Sequence, residues 1–363
     1  MASTWPNNDI VTEILSHLPI RSLFRFRIVC KFWRDVIDSP TFRKLHIQKQ
    51  DNNNNEDDTV LVQFSFIRNR ISKLSIMLLD NGKPSHAFPA LTQFCNDHLK
   101  PDFFGTAYGL NLGVVGPANG LICIYHGRLN GPIAVCNPSL GQIKLLPESP
   151  KCLFPNMRGM VYTDVGIGFD NVVQGYKVVR LMSSSGQDRL HASVYSRTTN
   201  SWRELAGDAI LDQELYVIKP IKSSYKNGSF AHWRAIRVVG ANRETLILSF
   251  DMKNEVFRIL EMPDYERLRS LGNIKIFATD DSFVLFIYSD LDNGYSRVRG
   301  PKSLMIFEAR FEGNTLRWDF ATKVGEFGRI TPTPKALWRS DCVVLEHFSM
   351  KKRLIFYDYC VRN

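Results

Sequence analysis

The segment LILSFDMKNEVFRIL, residues 246–260, contains two apolar runs joined by a polar turn. The first run ends at Asp251, and the second, which begins at Val256, again consists largely of apolar and aromatic residues. Short runs of this kind, bounded by turn-forming residues, are typical of β-strands, because a helix needs a longer stretch with helical periodicity. The segment therefore predicts a strand, a turn and a second strand.

The same unit recurs through most of the chain. The last residues of six such strands lie at positions 80, 137, 196, 251, 308 and 358, which are 57, 59, 55, 57 and 50 residues apart. A second set of turn residues recurs at a similar spacing along the sequence, namely Gly120, Gly175, Gly228, Asp281 and Asp341. A period of about fifty residues with several strands per repeat is typical of kelch-like propeller blades. We therefore predict that residues 60–363 form one large all-β domain, a kelch-like β-propeller or propeller-like toroid of about six blades.

Residues 7–46 have a different, helical pattern. Ile10, Ile14 and Leu18 recur at helical spacing, and Pro19 ends that first helix. Two apolar stripes follow, one made of Leu23, Phe26, Cys30, Trp33 and Ile37 and the other of Val29, Phe32 and Val36. We expect three short helices, in which one stripe closes a small all-α module and the other contacts another protein.

A polar segment separates the helical part from the strands. Residues 51–58 read DNNNNEDD, with no apolar residue and no strand or helix period. This composition is typical of a solvated connection, and the segment lacks the glycine and the ligand spacing of a calcium-binding loop. The predicted domains are a helical module at residues 1–50, an acidic and asparagine-rich linker at residues 51–59, and the all-β domain at residues 60–363.

Both predicted domains resemble known family sequences. The helical segment EILSHLPIRSLFRFRIVCKFWRDVIDSPTF, residues 13–42, resembles an F-box. The segments NGLICIY, VCNPSLGQIKLLP, VYSRTTNSWREL and LSFDMKNEVFRILEMP resemble the F-box-associated interaction domain of the large plant F-box family, which includes the S-locus F-box proteins. This resemblance implies a non-catalytic substrate-recognition subunit of an SCF-type E3 ubiquitin ligase, which recruits a target protein for ubiquitination and degradation.

The resemblance also implies partners and contact residues. The F-box would bind a Skp-type adaptor protein and, through it, a cullin, while the all-β domain would hold the protein substrate. The residues implied in adaptor binding, or in the helix packing that shapes it, are Pro6, Ile10, Ile14, Leu15, Leu18, Pro19, Leu23, Phe26, Val29, Cys30 and Trp33. The S-locus group suggests self-incompatibility through binding of pistil ribonucleases. Because such ribonucleases are commonly basic and this chain has a net charge of +10, that role is kept as an alternative.

The sequence contains no strong motif for catalysis, cofactor binding or metal binding. Gly166-Ile167-Gly168 begins like a dinucleotide-binding loop, but the third glycine is missing and no helical pattern follows, so we expect a turn that enters a strand. The eight histidines are scattered, and no two cysteines form a C-x-x-C pair. We predict no catalytic residue, no cofactor and no metal, and we expect Trp202, Trp233 and Trp318 to pack in the core.

Composition limits the remaining classes of protein. A chain of 363 residues with 44% hydrophobic residues can bury a core that needs no disulfides. No apolar run is long enough to cross a bilayer, no secretion signal is recognisable, and the seven cysteines are an odd number. We expect no membrane partner and a reducing compartment, the cytoplasm and/or the nucleus.

One basic stretch remains. Residues 215–243 contain Lys219, Lys222, Lys226, Arg234, Arg237 and Arg243 and no acidic residue, a local charge of +6. The stretch is interpreted either as a solvated face or as a binding surface in which Lys219, Lys222 and Lys226 contact an acidic or phosphorylated substrate.

Two rival functions stay open. A carbohydrate-binding or enzymatic propeller would need polar groups that converge on the central channel. A nucleic-acid-binding propeller would use the net charge of +10, although we expect no nucleic-acid partner.

If the domains divide at the linker, limited proteolysis should cut the chain first within residues 51–58, because exposed polar segments are the preferred sites of cleavage. The large fragment should then have a β-sheet circular dichroism spectrum. A helix-dominated spectrum of that fragment would contradict the predicted division.

Overall fold

A computed structural model describes residues 8–18, 20–42, 45–46, 49, 60–68, 71–80, 83–87, 112–127, 131–137, 140, 142–150, 161–184, 190–205, 210, 215–223, 228–263, 273–279, 282–288, 304–313, 315–325, 333–339, 342–347 and 353–358. Within these residues, three short helices and further helical residues at positions 40–42, 45–46 and 49 precede the strands. This order confirms the predicted fold class, a small all-α module before a large all-β domain. The proposed linker at residues 51–59 lies outside the described residues.

The helical module consists of α1 (Asn8–Ser16), α2 (Ile20–Phe26) and α3 (Lys31–Asp38). Its core contains the buried side chains of Val11, Leu15, Leu23, Ile37 and Phe42. Burial of each large aliphatic or aromatic side chain contributes roughly 1.5–3 kcal/mol. These contacts close a module whose helices are too short to be stable alone.

The two apolar stripes predicted for this module do not divide into an inner and an outer face. Residues 27–30 form a turn between α2 and α3, so helical spacing is not continuous through the segment. Trp33 and Val36, which belong to different stripes, pack against the same core as Ile37. The stripes therefore predicted the core better than they predicted the exposed face.

The strands form six sheets in the described part of the chain. Sheet A contains β1 (Val60–Arg68), β2 (Ile71–Asp80) and β3 (Lys83–Ala87). Sheet B contains β4 (Leu112–Ala118), β5 (Leu121–His126), β6 (Ile133–Asn137) and β7 (Gln142–Leu145). Sheet C contains β8 (Val161–Asp170), β9 (Gly175–Ser184), β10 (His191–Ser196) and β11 (Ser201–Leu205).

The remaining sheets include one strand that changes sheets. Sheet D contains β12 (Leu215–Pro220), β14 (Phe230–Val239), β15 (Asn242–Asp251) and β16 (Val256–Glu261). Sheet E contains β13 (Lys222–Ser223), β17 (Asn273–Ala278), β18 (Phe283–Tyr288), β19 (Leu304–Glu312) and β20 (Thr315–Val324). Sheet F contains β21 (Thr333–Arg339), β22 (Cys342–His347) and β23 (Arg353–Asp358). Thus β13 follows a strand of sheet D in the chain but pairs in parallel with β17 of sheet E.

The sheets are arranged as in a propeller. The first strands of successive sheets lie side by side, β4 beside β8 and β8 beside β12, and β21 lies beside both β17 and β1. Sheets B to E have at least four strands each, whereas sheets A and F have three in the described residues. Four complete blades are therefore present, and the count of about six blades stays a prediction.

The sequence period corresponds to one sheet. Of the six marker residues, five are the last residues of strands, namely Asp80, Asn137, Ser196, Asp251 and Asp358. The sixth, Glu308, lies inside β19 because that strand continues to Glu312. In sheets B, C and D the marker residue is the last residue of the third strand. The fourth strand, which is the outermost strand of the sheet, follows next in the chain.

The hydrophobic core lies in layers between neighbouring sheets. Val178 packs in the layer between sheets B and C, while the next residue, Val179, packs in the layer between sheets C and D. Successive strand residues point to opposite faces, so inner strands are buried on both sides and read as continuous apolar runs. Trp233 is fully buried in the C–D layer, as expected for core packing.

Trp202 and Trp318 link adjacent sheets through hydrogen bonds as well as packing. The indole N–H of Trp202 in β11 donates to the carbonyl of Pro147, which follows β7, at 2.8 Å. The indole N–H of Trp318 in β20 donates to the carbonyl of Glu261, at the end of β16, at 3.4 Å. The same contact thus joins the outer strands of two pairs of sheets.

Gly166 and Gly168 lie inside strand β8, so the expected turn at this motif is wrong. A Cβ atom on Gly166 would lie 2.5 Å from the Trp233 ring, and one on Gly168 would lie 2.7 Å from the carbonyl oxygen of Gly228. The two glycines therefore let β8 approach sheet D closely.

We expect Gly166→Ala to lower the free energy of unfolding by about 1–3 kcal/mol, because the new methyl group overlaps the buried Trp233 side chain. Urea denaturation checks this value. Gly175→Ala is the matched control, since a Cβ atom there meets nothing closer than 3.9 Å. Equal stability of the two variants would contradict the close-approach role of Gly166.

Candidate functional site

The helical module exposes apolar side chains at two places. Ile10 and Ile14 lie one turn apart on α1 and are 53% and 59% exposed, while Val11 and Leu15 of the same helix are buried. In the turn between α2 and α3, Ile28 is 87% exposed and Val29 is 59% exposed. Clustered apolar exposure on so small a module is typical of a protein-binding surface.

Specific contacts fix the turn that carries Ile28 and Val29. Cys30 is the N-cap of α3, and its Sγ accepts a hydrogen bond from the backbone N–H of Trp33 at 3.4 Å. The Trp33 ring packs edge-on against Phe26, with ring centroids 5.2 Å apart. Arg27 forms an ion pair with Asp38 at 2.7 Å. The turn is therefore anchored on both sides by α2 and α3.

Polar contacts join the first helix to the last described residues of the module. Lys49 and His17 both contact the Glu13 carboxylate, and these hydrogen bonds, led by the one from Lys49, hold the pKa of Glu13 below its usual value. The ring of His46 is hydrogen-bonded to the carbonyl of Leu18 at 2.9 Å. These bonds hold the end of α1 against His46 and Lys49.

The implied adaptor-binding residues divide into three groups. Ile10, Ile14 and Val29 are exposed. Leu15 and Leu23 are buried in the core, and Leu18, Phe26, Cys30 and Trp33 are half-buried around it. Pro6 and Pro19 lie outside the described residues.

Sequence reasoning missed Ile28, the most exposed large apolar residue among those described. Ile28 belongs to neither of the two stripes with helical spacing. An apolar side chain outside both stripes, next to Val29 and close to charged neighbours, was the available signal.

The predicted substrate-binding lysines are not brought into a defined site. Lys219 lies in β12 and Lys222 in β13, with side chains that are not described, and Lys226 lies outside the described residues. Arg237, from the same basic stretch, forms two hydrogen bonds with Glu244 at 3.0 and 2.7 Å across the β14–β15 pair. Glu244 follows directly after the stretch, so part of its charge is neutralised locally.

A buried ionic cluster, which sequence reasoning did not find, lies between sheets C and D. The Nζ of Lys177 lies 2.7 Å from Oδ2 of Asp170 and 2.8 Å from Oε1 of Glu255, and it donates to the carbonyl of Met252 at 2.7 Å. Glu255 is also paired with Arg203 of β11. One lysine therefore joins the β8–β9 turn of sheet C to the β15–β16 turn of sheet D.

The pKa values of this cluster follow from its contacts. Burial alone would raise the pKa of Asp170, but hydrogen bonds from Lys177 and from the backbone N–H groups of Val172 and Val173 outweigh it, so this pKa lies below its usual value. Burial would lower the pKa of Lys177, but its bonds to Asp170 and Glu255 raise it overall. The Asp170–Lys177 pair therefore stays ionised at neutral pH.

His232 could in principle act as an acid, a base or a metal ligand, but it lies in the core. His232 in β14 is buried against Phe283, with ring centroids 4.8 Å apart, and burial lowers its pKa to about 3, so it is neutral. Among the described residues, no three histidine, cysteine or acidic side chains group as metal ligands. None of the helices in that part of the chain is long and apolar enough to span a bilayer.

Two family models match the sequence. A model described as the F-box domain matches residues 7–45. A model described as the F-box associated beta propeller domain matches residues 63–293, which is more than half of the 363-residue chain. Both matches agree with the fold and with the resemblance found in the sequence.

Similar curated proteins include three from Arabidopsis thaliana. F-box protein At2g15640 is 24% identical over 307 residues, which cover 78% of this chain and 67% of that protein. F-box/kelch-repeat protein At3g23880 is 24% identical, with 70% and 65% covered. F-box protein CPR1 is 28% identical, with 70% and 60% covered. The chain thus spans 60 to 67% of the length of these relatives.

Solved structures that match part of the chain include an ulvan lyase of polysaccharide lyase family PL25, with a TM-score of 0.40 and 9% identity over 79% of this chain and 70% of that one. The Dos1 propeller has a TM-score of 0.37 and 8% identity, with 76% and 72% covered. At these scores the likeness carries no argument about activity or ligands.

We expect Lys177→Met to lower the free energy of unfolding by roughly 3–5 kcal/mol, because it leaves the buried Asp170 carboxylate without its cation and removes one of the two cations paired with Glu255. Urea or thermal denaturation measures this loss. Lys253→Met, which alters an exposed lysine of the adjacent turn, should stay within about 0.5 kcal/mol of the wild type. A Lys177→Met protein as stable as that control would show that the cluster does not hold sheets C and D together.

Proposed function

Because the chain belongs to the family of F-box proteins with an F-box associated beta propeller domain, we propose that it is the substrate-recognition subunit of an SCF-type E3 ubiquitin ligase. In this role the helical module binds a Skp-type adaptor and, through it, a cullin. The propeller binds the protein to be ubiquitinated. The chain supplies no reacting group and acts by raising the local concentration of the target at a remote active site.

The observation that carries this proposal is the apolar exposure of a module that already has a complete core. Ile10 and Ile14 point away from the core that contains Val11 and Leu15. Because these residues are already partly covered, burial of Ile10, Ile14, Ile28 and Val29 by a partner would contribute on the order of 4–8 kcal/mol before the entropic cost of association is subtracted.

In this proposal the helical module and the propeller have separate binding roles. The sheets are held together by buried layers and by the Lys177 cluster, so the propeller can present surface turns in fixed positions. A receptor of this kind needs one surface for the ligase and another for the target. We place the protein in the cytoplasm and/or the nucleus, where such a ligase has its targets.

The self-incompatibility role remains a prediction from the sequence resemblance alone. Neither a carbohydrate-binding nor a nucleic-acid-binding propeller is favoured by a specific observation among the described residues. The non-catalytic role is part of the same proposal.

The adaptor contact is tested with Ile10→Asp and Ile14→Asp in the full chain. A carboxylate that is desolvated at an apolar contact without a partner opposes binding, so we expect the affinity for a purified Skp-type adaptor to fall at least about tenfold for each. Isothermal titration calorimetry or surface plasmon resonance measures this change.

Two controls make that result specific. Thr41→Asp adds the same charge at an exposed polar position of the module and should leave adaptor affinity unchanged. Both isoleucine variants should keep the wild-type melting temperature, because their side chains are exposed. Adaptor binding at wild-type affinity by both variants would reject this docking surface, and absence of binding by the wild-type chain would reject the proposed function.

A further inference from the structure

Three turns of sheets C and D lie at the same end of these sheets and form a surface that none of the roles described above uses. We call it the C–D turn surface, and define it by the turns at residues 171–174, 197–200 and 252–255. Lys177 links the first turn to the third through Asp170, Met252 and Glu255. The backbone N–H of Arg197, in the second turn, donates to the carbonyl of Tyr176, the second residue of β9, at 3.1 Å.

The tip of this surface is apolar and rigid. Val172 and Val173 are adjacent residues of the first turn, and they are 65% and 46% exposed. Their backbone N–H groups both donate to Oδ1 of Asp170, at 2.9 and 3.3 Å. Because the turn is held by the buried Asp170–Lys177 pair, a partner that covers the two valines loses little free energy in ordering it.

On the C–D turn surface, the acidic side chains point inward and the basic side chains are exposed. Its carboxylates point inward, because Asp170 is buried against Lys177 and Glu255 is paired with Lys177 and Arg203. Arg197 and Lys253 of the turns are exposed.

Two arginines of the adjoining strands add to the outer positive charge. The side chains of Arg203 and Arg258 are 60% and 54% exposed. The exposed Glu204 follows Arg203 in β11 and therefore points to the other face of that sheet. Arg203 is paired with Glu255 and Arg258 lies 3.8 Å from Asp251, so the surface presents Arg197 and Lys253 together with these two ion-paired arginines.

We propose that the C–D turn surface binds a protein segment in which aliphatic side chains are flanked by aspartate or glutamate. The valines provide an apolar contact and the surrounding arginines and lysine provide partners for carboxylates, which gives the complementarity typical of specific interfaces. Nucleic acid fits less well, since it offers phosphates and base faces, and aliphatic valines neither pair with phosphates nor provide an aromatic platform for bases. The inference rests on the proposed function, because it names the class of target, and it places acidic recognition at a different position from Lys219, Lys222 and Lys226.

The test uses the full chain in complex with its adaptor and a display library of random dodecapeptides. We expect enrichment of peptides that combine acidic and aliphatic residues. Synthetic copies of the enriched peptides should bind at least about tenfold more weakly to the double variant Arg197→Glu/Lys253→Glu, and binding should weaken as salt is raised. The double variant Val172→Ser/Val173→Ser should weaken binding of the same peptides several-fold.

Matched controls use the same substitutions elsewhere. Arg310→Glu/Lys323→Glu reverses two exposed cations of sheet E, and Val239→Ser alters a valine that is 55% exposed at the opposite end of sheet D. Neither control should change peptide affinity. All the altered side chains are exposed, and unchanged melting temperatures would confirm that the fold is intact.

Other outcomes would overturn the proposal. These are no enrichment, enrichment of basic or uncharged peptides, or peptide affinity that the C–D variants do not change. Binding of a 20-base-pair DNA duplex that the Arg197→Glu/Lys253→Glu variant abolishes, without any acidic peptide, would assign the surface to nucleic acid instead. None of these results affects adaptor binding, which the C–D variants should retain, so failure of this surface is distinguishable from failure of the ligase role.

Discussion

The structure depends on burial of its sheets on both faces. Val178 and Val179 are neighbours in β9, yet both are fully buried, one against sheet B and the other against sheet D. A sheet in this position cannot expose one polar face to water, as a lone antiparallel sheet does. Its inner strands are therefore mostly apolar, and a charged group that they bury, such as Lys177 in β9, needs partners.

The same constraint explains the two unusual contacts between sheets C and D. Close approach leaves no room for a side chain at Gly166, where Trp233 of the next sheet occupies the space. At the edge of the layer, where the turns begin, the contact becomes ionic, and Lys177 is surrounded by oxygen atoms of both sheets. A buried cation is tolerable only with such partners, because its desolvation would otherwise be very unfavourable. The cluster therefore orients the turns that carry the exposed valines and arginines.

Sequence reasoning recovered the features that repeat and missed those that join repeats. The strand segments and their period were predictable because two-sided burial gives apolar runs, and because turns such as the one after Asp251 recur along the chain. The Lys177 cluster was not predictable, since its partners Asp170 and Glu255 belong to different sheets and no periodicity connects them. Gly166 was misinterpreted for the same reason, as its explanation is a tryptophan in another sheet. In the helical module, helical spacing identified the core residue Ile37 but could not show that the chain turns before Cys30, which leaves Ile28 in solvent.

Strand β13 has a consequence for how such a chain can change over evolution. It is encoded between two strands of sheet D but is hydrogen-bonded within sheet E. Tandem duplication or loss of sheet D as a single gene segment would therefore also add or remove a strand of its neighbour. Blades joined in this way are inherited as a pair, which makes this part of the ring resistant to the blade-by-blade shuffling by which repeat proteins commonly vary in length.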